Sequence, residues 1–503
     1  MLYQSTRNSS IKIKASEAIK QGLSKDGGLF VPESFPHISS DRLIELSKKP
    51  YCELSADVMG LFLDEFSSDE INHFTKAAYN PKSFTDGEPA PLHKINDNTY
   101  FLELWHGPTC AFKDMALQVM PYLLTQSLRK AGDKRDVCVL VATSGDTGKA
   151  ALEGFCDLPG VKIMVFYPKD GVSEIQKLQM TSQSGDNVSV AAVEGNFDDT
   201  QTGVKKIFSD ESLRAKLDSK GYFLSSANSI NWGRLVPQIA YYISSYCSLL
   251  NKGVITNGEK INFCVPTGNF GNILAAYYAY KIGLPINKLI CASNRNDVLT
   301  QFINTGAYDK NRAFYTTISP SMDILVSSNL ERLIFELSGK DGDIVASYMS
   351  SLSVKGHYDV PPSVLGQIQG LFASGYCSEE DTKKTIAGMY KSNKYLIDTH
   401  TAVGYKAICD YREKSKDDSV TVVVSTASPY KFCESVLDAL GEPADTNGKP
   451  VDTNGAELME KLSAYTGVKI PEPLQTLKDK IPRFTGFIKH DEMKSAVMQF
   501  LGG

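Results

Sequence analysis

The sequence predicts an α/β protein with two parallel-sheet domains and a mainly helical N-terminal domain. Its 503 residues are enough for roughly three domains of about 150 residues each. From Val137 onward, short β-branched runs alternate with longer amphipathic segments, an alternation typical of parallel sheets covered by helices. Before that point, apolar residues recur at helical spacing, as in residues 56–66. We therefore predict an N-terminal domain over residues 1–90.

Two series of apolar strands define the two sheet domains. The first series comprises VCVLVA (137–142), VKIMVFY (161–167) and NVSVAAV (187–193). The second series comprises residues 261–265, KLICAS (288–293) and SVTVVVSTA (419–427). We predict a small α/β domain over residues 135–228, and a large α/β domain formed by residues 91–134 together with residues 229–503.

Composition and charge argue against several classes of protein. Apolar residues make up 42% of the chain and charged residues 22%, which is typical of folded globular proteins. The net charge of −5 includes no long basic run, so we expect no nucleic-acid partner. The ten cysteines contain no CxxC pair, which argues against a zinc site and against a disulfide framework. We expect a small-molecule substrate, no bound metal, and a monomer or a small homo-oligomer.

Location is predicted from the apolar runs and from the N-terminus. No run approaches the ~18 apolar residues of a membrane-spanning helix, and the N-terminus lacks the apolar segment of a signal peptide. We therefore expect a cytoplasmic protein without a membrane partner. The first residues are rich in serine and contain no acidic residue before Glu17, so a mitochondrial targeting peptide stays open as an alternative.

Three turns follow apolar strands, at the strand ends where open α/β sheets bind ligands. PTGNFGN (266–272) opens a helix, so its backbone N–H groups converge on a place for an anion. ATSGDTGKA (142–150) does the same, and STASPYKF (425–432) adds hydroxyl groups. The first two turns lack the spacing of a nucleotide P-loop, so a single phosphate group suits them better. A plain strand-to-helix turn remains an alternative for the first turn, and a helix N-cap for the third.

Lys113 is the candidate catalytic residue. It stands among apolar residues in LELWHGPTCAFKDMALQ (102–118), at the predicted start of a helix. Burial lowers the pKa of a lysine and makes its neutral amine available for Schiff-base chemistry. A solvated lysine, or one paired with Asp114, explains an isolated lysine better. Lys113 therefore becomes a candidate only in combination with the three turns.

Together these segments resemble the threonine synthase family, whose members are fold-type II pyridoxal phosphate enzymes related to the tryptophan synthase β subunit. The resemblance rests on YQSTR (3–7), DGGLFVP (26–32), HGPTCAFKD around Lys113, TSGDTG (143–148), PTGNFGN and STASPYKF. It covers nearly the whole chain, and its N-terminal segments resemble the long form found in fungi and many bacteria. The resemblance weakens the targeting-peptide alternative. It implies a tryptophan synthase β-like fold and a lyase that converts O-phospho-L-homoserine and water to L-threonine and phosphate.

The resemblance also implies roles for individual residues. Lys113 would form the Schiff base with pyridoxal 5'-phosphate and then transfer protons. The cofactor phosphate would lie on Gly268, Asn269, Phe270 and Asn272, and the Thr426 hydroxyl would contact the pyridine nitrogen. The substrate-binding residues implied are Thr143, Ser144, Gly145, Asp146, Thr147, Asn228, Ser229, Asn231 and Arg234. Asp398, His400 and His106 are ambiguous, because Asp398 and His400 also suit a helix N-cap and His106 suits a structural histidine.

Two alternatives to threonine synthesis remain open. A related phospholyase would eliminate phosphate and release 2-oxobutyrate without forming threonine. A non-catalytic sensor would keep the cofactor or phosphate sites and signal through a partner. The sequence distinguishes a phospholyase poorly from an enzyme that forms threonine. The complete set of lysine and turns argues against a non-catalytic sensor.

Overall fold

A three-stranded antiparallel sheet and four helices form the N-terminal part of the chain. The computed structural model describes residues 1–84, 87–169, 172–195, 197–442 and 455–502. The N-terminal elements are β1 (Leu2–Ser5), β2 (Lys12–Lys14), α1 (Ala15–Gln21), β3 (Phe30–Pro32), α2 (Ser40–Leu46), α3 (Tyr51–Gly60) and α4 (Ser68–Ala78). β1 is the central strand, antiparallel to β2 and β3. This sheet was not predicted from the sequence, because strands of three or four residues are too short to show an alternating pattern.

A five-stranded parallel sheet contains the first predicted series of strands. Residues 92–130 precede it and form β4 (Leu92–Asn96), β5 (Thr99–Glu103), α5 (Asp114–Leu117) and α6 (Met120–Lys130). The next elements are β6 (Asp136–Ala142), α7 (Asp146–Phe155), β7 (Val161–Pro168), α8 (Glu174–Thr181), β8 (Val188–Val193), α9 (Phe197–Ser209), α10 (Glu211–Ser219) and β9 (Tyr222–Ser226). The three predicted strands are therefore confirmed as β6, β7 and β8.

A six-stranded sheet contains the second predicted series. Its region begins with α11 (Trp232–Asn251), β10 (Ile261–Pro266), α12 (Gly271–Lys281), β11 (Ile286–Ser293), α13 (Val298–Thr305), β12 (Ala307–Asp309), α14 (Leu330–Leu337), α15 (Gly342–Val354), β13 (His357–Asp359) and α16 (Pro362–Leu371). It continues with β14 (Phe372–Tyr376), α17 (Glu379–Asn393), α18 (Thr399–Ser415), β15 (Thr421–Ser425), α19 (Cys433–Ala439), α20 (Gly455–Thr466), α21 (Glu472–Gln475), β16 (Phe487–Ile488) and α22 (Met493–Phe500). Short 3-10 helices cover Pro320–Met322, Pro429–Phe432, Thr476–Asp479 and His490–Glu492.

The order of strands explains how distant segments meet. The larger sheet has the order β14-β11-β10-β15-β5-β4, in which β4 is antiparallel to β5 and the other neighbours are parallel. The smaller sheet has the order β16-β8-β7-β6-β9. Because β10, β15 and β5 are parallel neighbours, the segments that follow them lie side by side at one edge of the sheet. These segments carry the turn 266–272, Thr426 and Lys113.

Two local details differ from the sequence analysis. The helix expected at Pro429 begins as a 3-10 turn and becomes α-helical only at Cys433. Near the C-terminus, β16 joins the smaller sheet beside β8 in parallel register, although residues 229–503 were predicted to belong to the large domain. The three predicted domain boundaries stay a prediction. Within the described ranges, no helix is both long and apolar enough to cross a bilayer.

Candidate active site

A buried cavity lies at the carboxyl ends of β6 and β10. Its lining includes the predicted residues Lys113, Thr143, Ser144, Asp146, Thr147, Asn228, Ser229, Arg234, Gly268, Asn269, Phe270, Asn272, His400 and Thr426. Ser229 and Asn269 also line an adjoining open cleft of about 1100 Å³ between the N-terminal part, the smaller sheet and residues 308–358. The structure thus brings most of the predicted site together. Gly145, Asn231, Asp398 and His106 are not among the described residues that line the cavity.

Lys113 is buried at the start of the short helix α5. Its Nζ lies 3.5 Å from Ser321 Oγ and 3.7 Å from a carboxylate oxygen of Asp146. Burial lowers the pKa of Lys113 to about 8, against the opposing attraction of Asp146. The alternative pairing with Asp114 is wrong, because that carboxylate accepts hydrogen bonds from the backbone N–H and hydroxyl of Thr109. Lys113 therefore has the environment of a reactive amine.

Asp146 and Lys431 form a buried ion pair beside Lys113. Lys431 Nζ lies 2.7 Å from Asp146 Oδ1, and the two side chains are 0% and 3% exposed. Gln176 Nε2 donates to the same oxygen at 2.7 Å. Burial acts to raise the pKa of Asp146, but the charges of Lys431 and Lys113 outweigh it and hold that pKa well below its usual range. Asp146 is thus a fixed negative charge facing Lys113.

The turn 266–272 is shaped to receive an anion at the first turn of α12. A Cβ on Gly268 would lie 2.5 Å from the carbonyl oxygen of Ser321, so no larger residue fits there without a shift of the backbone. Phe270 adopts a left-handed φ of 61° as the N-cap of α12. Asn272 accepts hydrogen bonds from Tyr241 and Tyr242 through Oδ1, while its buried Nδ2 has no partner among the described residues. That free donor and the helix N-terminus suit a phosphate group.

Thr426 faces the cavity from the end of β15. Its backbone carbonyl accepts a hydrogen bond of 2.8 Å from the N–H of Phe112, the residue before Lys113. The neighbouring residues Ala111 and Ala427 form an antiparallel β-bridge. These backbone contacts fix the hydroxyl of Thr426 relative to Lys113. The N-cap explanation of this segment applies to Ser428, whose Oγ accepts from the N–H of Tyr430.

The turn 143–147 joins β6 to α7. Thr143 Oγ1 accepts hydrogen bonds from the N–H groups of Gly145 and Gly148, so its hydroxyl stabilises the turn. Gly145 has a φ of 131°, and a Cβ there would lie 2.6 Å from the side chain of Gln176. Ser144 and Thr147 line the cavity and are the residues of this turn best placed to contact a substrate.

The segment 228–234 closes the opposite side of the cavity. Arg234 Nη1 donates to the carbonyl of Ala227 at 2.6 Å, and its buried Nε has no partner among the described residues. Burial lowers the pKa of Arg234 to about 10. Asn231 is instead a structural residue: it caps α11 through the N–H of Gly233 and donates to the carbonyls of Ile19 and Ser226.

Of the three residues whose roles the sequence left ambiguous, Asp398 and His400 lie beside the site and His106 does not. Asp398 caps α18, as the N-cap explanation predicts, and also lies 2.9 Å from Nδ1 of His400. Nε2 of His400 accepts the backbone N–H of Ser321 at 3.2 Å, so the imidazole helps to place Ser321. His106 lies outside the lining, 2.7 Å from Glu103 and stacked on Trp105, which agrees with a structural role.

Ser321 and Lys431 are site residues that the sequence analysis did not identify. Ser321 belongs to a 3-10 turn between Pro320 and Met322, outside the helices and strands on which the motif search depended. Lys431 lies within the STASPYKF motif, but its partner Asp146 is the first residue of α7, which follows β6 of the smaller sheet. The only sequence feature that pointed to Lys431 was a lysine after a polar turn within an apolar segment. Lys113 shows the same feature, so it did not single out Lys431.

Fold and site together define a fold-type II enzyme that depends on pyridoxal 5'-phosphate. The family model described as "Pyridoxal-phosphate dependent enzyme" matches residues 85–353. Models described as "Threonine synthase N terminus" and "Threonine synthase, C-terminal" match residues 2–79 and 401–485. The predicted fold class and cofactor are therefore confirmed.

Similar sequences and a similar crystal structure identify the family within this class of pyridoxal-phosphate enzymes. Threonine synthase of Pseudomonas aeruginosa is 40% identical over 437 residues, which cover 87% of this chain and 90% of that protein. Human threonine synthase-like 1 is 39% identical over 436 residues, which cover 84% of this chain but only 58% of that longer protein. The crystal structure of threonine synthase from Brucella melitensis with bound pyridoxal phosphate superposes with a TM-score of 0.86 at 34% identity and full coverage of both chains. This chain belongs to the threonine synthase family.

Proposed function

We propose that this protein is a threonine synthase, a lyase that converts O-phospho-L-homoserine and water to L-threonine and phosphate. The observation that carries the proposal is the meeting of Lys113, the turn 266–272 and Thr426 in one cavity, with a second polar turn beside them. The identity of about 40% to a bacterial threonine synthase over most of both chains supports it. Members of the family with that name act on a small phosphorylated substrate.

Cofactor binding is assigned to three groups of residues. Lys113 would hold the cofactor covalently through its amine, and the backbone N–H groups of residues 268–272 with Asn272 Nδ2 would bind its phosphate. Thr426, which lines the cavity, would contact the ring nitrogen through its hydroxyl; a hydroxyl, unlike a carboxylate, would leave that nitrogen mainly unprotonated. When bound, the cofactor supplies a ring that withdraws electrons from the substrate's α-carbon.

Proton transfer is assigned to Lys113. Its amine is neutral over a larger range of pH than that of a solvated lysine, so it can accept the proton from Cα of the substrate and return protons later in the reaction. Asp146 lies 3.7 Å away and stabilises the protonated form of Lys113 that results. Ser321 Oγ lies within hydrogen-bonding distance and orients the amine.

Substrate binding is assigned to the remaining polar lining. Ser144, Thr147, Asn228 and Ser229 offer donors, and the Nε–H of Arg234 in the buried wall has no acceptor among the described residues. An arginine suits a dianionic phosphate because its guanidinium is planar, permanently charged and rich in donors. Three other residues predicted to bind substrate, Thr143, Gly145 and Asn231, contribute through the turns that they stabilise. Asp146, also predicted to bind substrate, contributes through its charge beside Lys113.

Product analysis tests the proposed function. Purified protein supplied with pyridoxal phosphate is incubated with O-phosphohomoserine, and phosphate, threonine and 2-oxobutyrate are each measured. We expect phosphate and threonine in equal amounts. Phosphate with 2-oxobutyrate and no threonine would identify the phospholyase alternative, and no turnover with bound cofactor would favour the sensor.

The pH dependence of cofactor attachment is expected to follow Lys113. Because burial lowers the pKa of Lys113 to about 8, the neutral amine should predominate above that pH. The rate at which cofactor-free protein takes up pyridoxal phosphate should therefore rise with pH through a midpoint near 8 and then level off. Absorbance measurements give this rate, with free lysine as the control for titration of the cofactor itself. A midpoint near ~10.4, the ordinary value for lysine, would contradict the burial argument.

Replacing Thr426 with alanine is expected to reduce kcat without loss of the cofactor. The variant removes one hydrogen bond, worth about 1 kcal/mol, so kcat should fall roughly fivefold. Cofactor content is measured by absorbance and kcat by phosphate release. Thr426→Ser, which keeps the hydroxyl, is the matched control and should retain most of the activity; equal kinetics in all three proteins would remove the assigned role.

We further propose a cytoplasmic location, a monomer or small homo-oligomer, and no nucleic-acid or membrane partner. The net charge of −5 and its even distribution support the absence of a nucleic-acid partner. The predicted domain boundaries at residues 90, 134 and 228 are proposed on the same footing. Size-exclusion chromatography with light scattering measures the oligomeric state.

A further inference from the structure

Two backbone carbonyl groups of the turn 266–272, those of Gly268 and Asn269, accept hydrogen bonds from a polar segment, residues 327–329. Ser327 Oγ donates to the carbonyl of Gly268 at 2.8 Å. The backbone N–H and the Nδ2 of Asn329 both donate to the carbonyl of Asn269, at 3.1 and 3.0 Å. A turn binds an anion through its N–H groups, so carbonyl dipoles that point inward would repel the ligand. Donors on the far side hold these carbonyls outward.

Asn329 also contacts the segment assigned to substrate binding. Its Nδ2 donates to Ser229 Oγ at 3.1 Å as well as to the carbonyl of Asn269. Asn329 is fully buried and is not among the described residues that line the cavity. One amide group therefore joins the two walls that the proposed function assigns to the cofactor phosphate and to the substrate.

The orientation of the Asn329 amide is fixed by Arg332. Arg332 Nη1 donates to Asn329 Oδ1, which leaves Nδ2 facing Asn269 and Ser229. Arg332 is itself fully buried and donates to the carbonyls of Phe30 at 3.0 Å and Ile230 at 2.6 Å. Only the oxygen of the amide can accept from Arg332. A flip of the amide would therefore lose that hydrogen bond and the two that Nδ2 donates to Asn269 and Ser229.

We propose that Asn329 is a positioning residue that aligns the phosphate-binding turn with Ser229, so that cofactor and substrate sites keep one relative geometry. The proposal rests on the proposed function, since it takes residues 268–272 to be the site of the cofactor phosphate. It predicts that loss of the Asn329 amide donor weakens recognition of the phosphate and of the substrate together. Neither effect requires contact between Asn329 and a ligand.

The test compares pyridoxal phosphate with pyridoxal, which lacks the phosphate group. Asn329→Asp keeps the size of the side chain and the acceptor for Arg332 but replaces the Nδ2 donor with an oxygen facing the carbonyl of Asn269. We expect the affinity of the full-length, cofactor-depleted protein for pyridoxal phosphate to fall by at least ~10-fold, with little change for pyridoxal. KM for O-phosphohomoserine should rise more than kcat falls.

A second variant and a matched control separate positioning from general stability. Asn329→Ala removes the donor without adding charge and should show the same selective loss. Asn311→Asp is the control, because it likewise removes an Nδ2 donor to a backbone carbonyl, that of Lys355 at 2.8 Å, and Asn311 is exposed and not among the described residues that line the cavity. The control should bind both ligands as the unchanged protein does. The proposal is overturned if affinities for the two ligands fall equally in the Asn329 variants.

A variant in the turn itself distinguishes failure of this inference from failure of the proposed function. Asn272→Ala removes the Nδ2 donor that has no partner in the described part of the chain and is assigned to the phosphate. If Asn272→Ala lowers the preference for pyridoxal phosphate over pyridoxal and the Asn329 variants do not, the turn binds phosphate and Asn329 does not position it. If none of these variants changes that preference, the assignment of the turn is wrong and the inference falls with it.

Discussion

Replacing Lys113 with alanine is expected to abolish the formation of threonine while leaving the fold intact. The variant removes the amine that attaches the cofactor and transfers the Cα proton, so turnover should fall by at least ~10⁴-fold. The fold should persist because a buried lysine whose pKa is lowered by desolvation contributes little to stability. Product assays, the absorbance of bound cofactor and the thermal unfolding midpoint measure the three effects.

Lys149 provides a matched control for the loss of a buried lysine. It is 6% exposed, pairs with Glu153 at 2.7 Å, and is not among the described residues of the cavity lining. Lys149→Ala should therefore keep the cofactor and its turnover, although removal of the partner of Glu153 should lower the unfolding midpoint. Turnover retained by Lys113→Ala, together with the absorbance band of attached cofactor, would refute the assignment of Lys113.

Local patterns made part of the site predictable. The strands β6, β10 and β15 are apolar runs that end in polar, glycine-containing or hydroxyl-containing turns, and strand and turn together span only 12 to 15 consecutive residues each time. Since parallel strands end at the same edge of a sheet, their turns could be expected to lie near one another. The resemblance to a family then assigned roles that the patterns alone left open.

Long-range polar contacts could not be predicted in this way. Ser321 lies 208 positions from Lys113, and Asn329 lies 60 positions from the turn whose carbonyl it binds. No periodicity links such residues, because their contacts depend on the order of strands in the sheet and on loops without regular structure. Asp146 illustrates the same limit: the resemblance implied a substrate contact, but nothing in the sequence indicated that its Oδ1 binds Lys431 and Gln176.

The Asp146–Lys431 pair is expected to contribute strongly to the stability of the fold, and the loss of either partner should have a different effect. Asp146→Asn leaves Lys431 and Lys113 as neighbouring buried cations, so the free energy of unfolding should fall by about 3–5 kcal/mol. Lys431→Met should cost less, because Lys113 lies 3.7 Å from Asp146 and can replace the lost cation. The double variant should be more stable than Asp146→Asn alone, since it removes one of the two uncompensated cations. Denaturant unfolding of all four proteins measures these differences.

The same variants should move the pKa of Lys113 in opposite directions. Lys431→Met removes a repelling cation, which should raise the pKa of Lys113 and shift the pH midpoint of cofactor uptake above 8. Asp146→Asn removes the attracting carboxylate and should shift that midpoint below 8. Glu380→Gln, which breaks an exposed pair with Lys384, is the control and should leave both the midpoint and the stability unchanged. Shifts of the same sign in both variants would mean that the pair acts on Lys113 through packing, since a positive and a negative charge must shift its pKa in opposite directions.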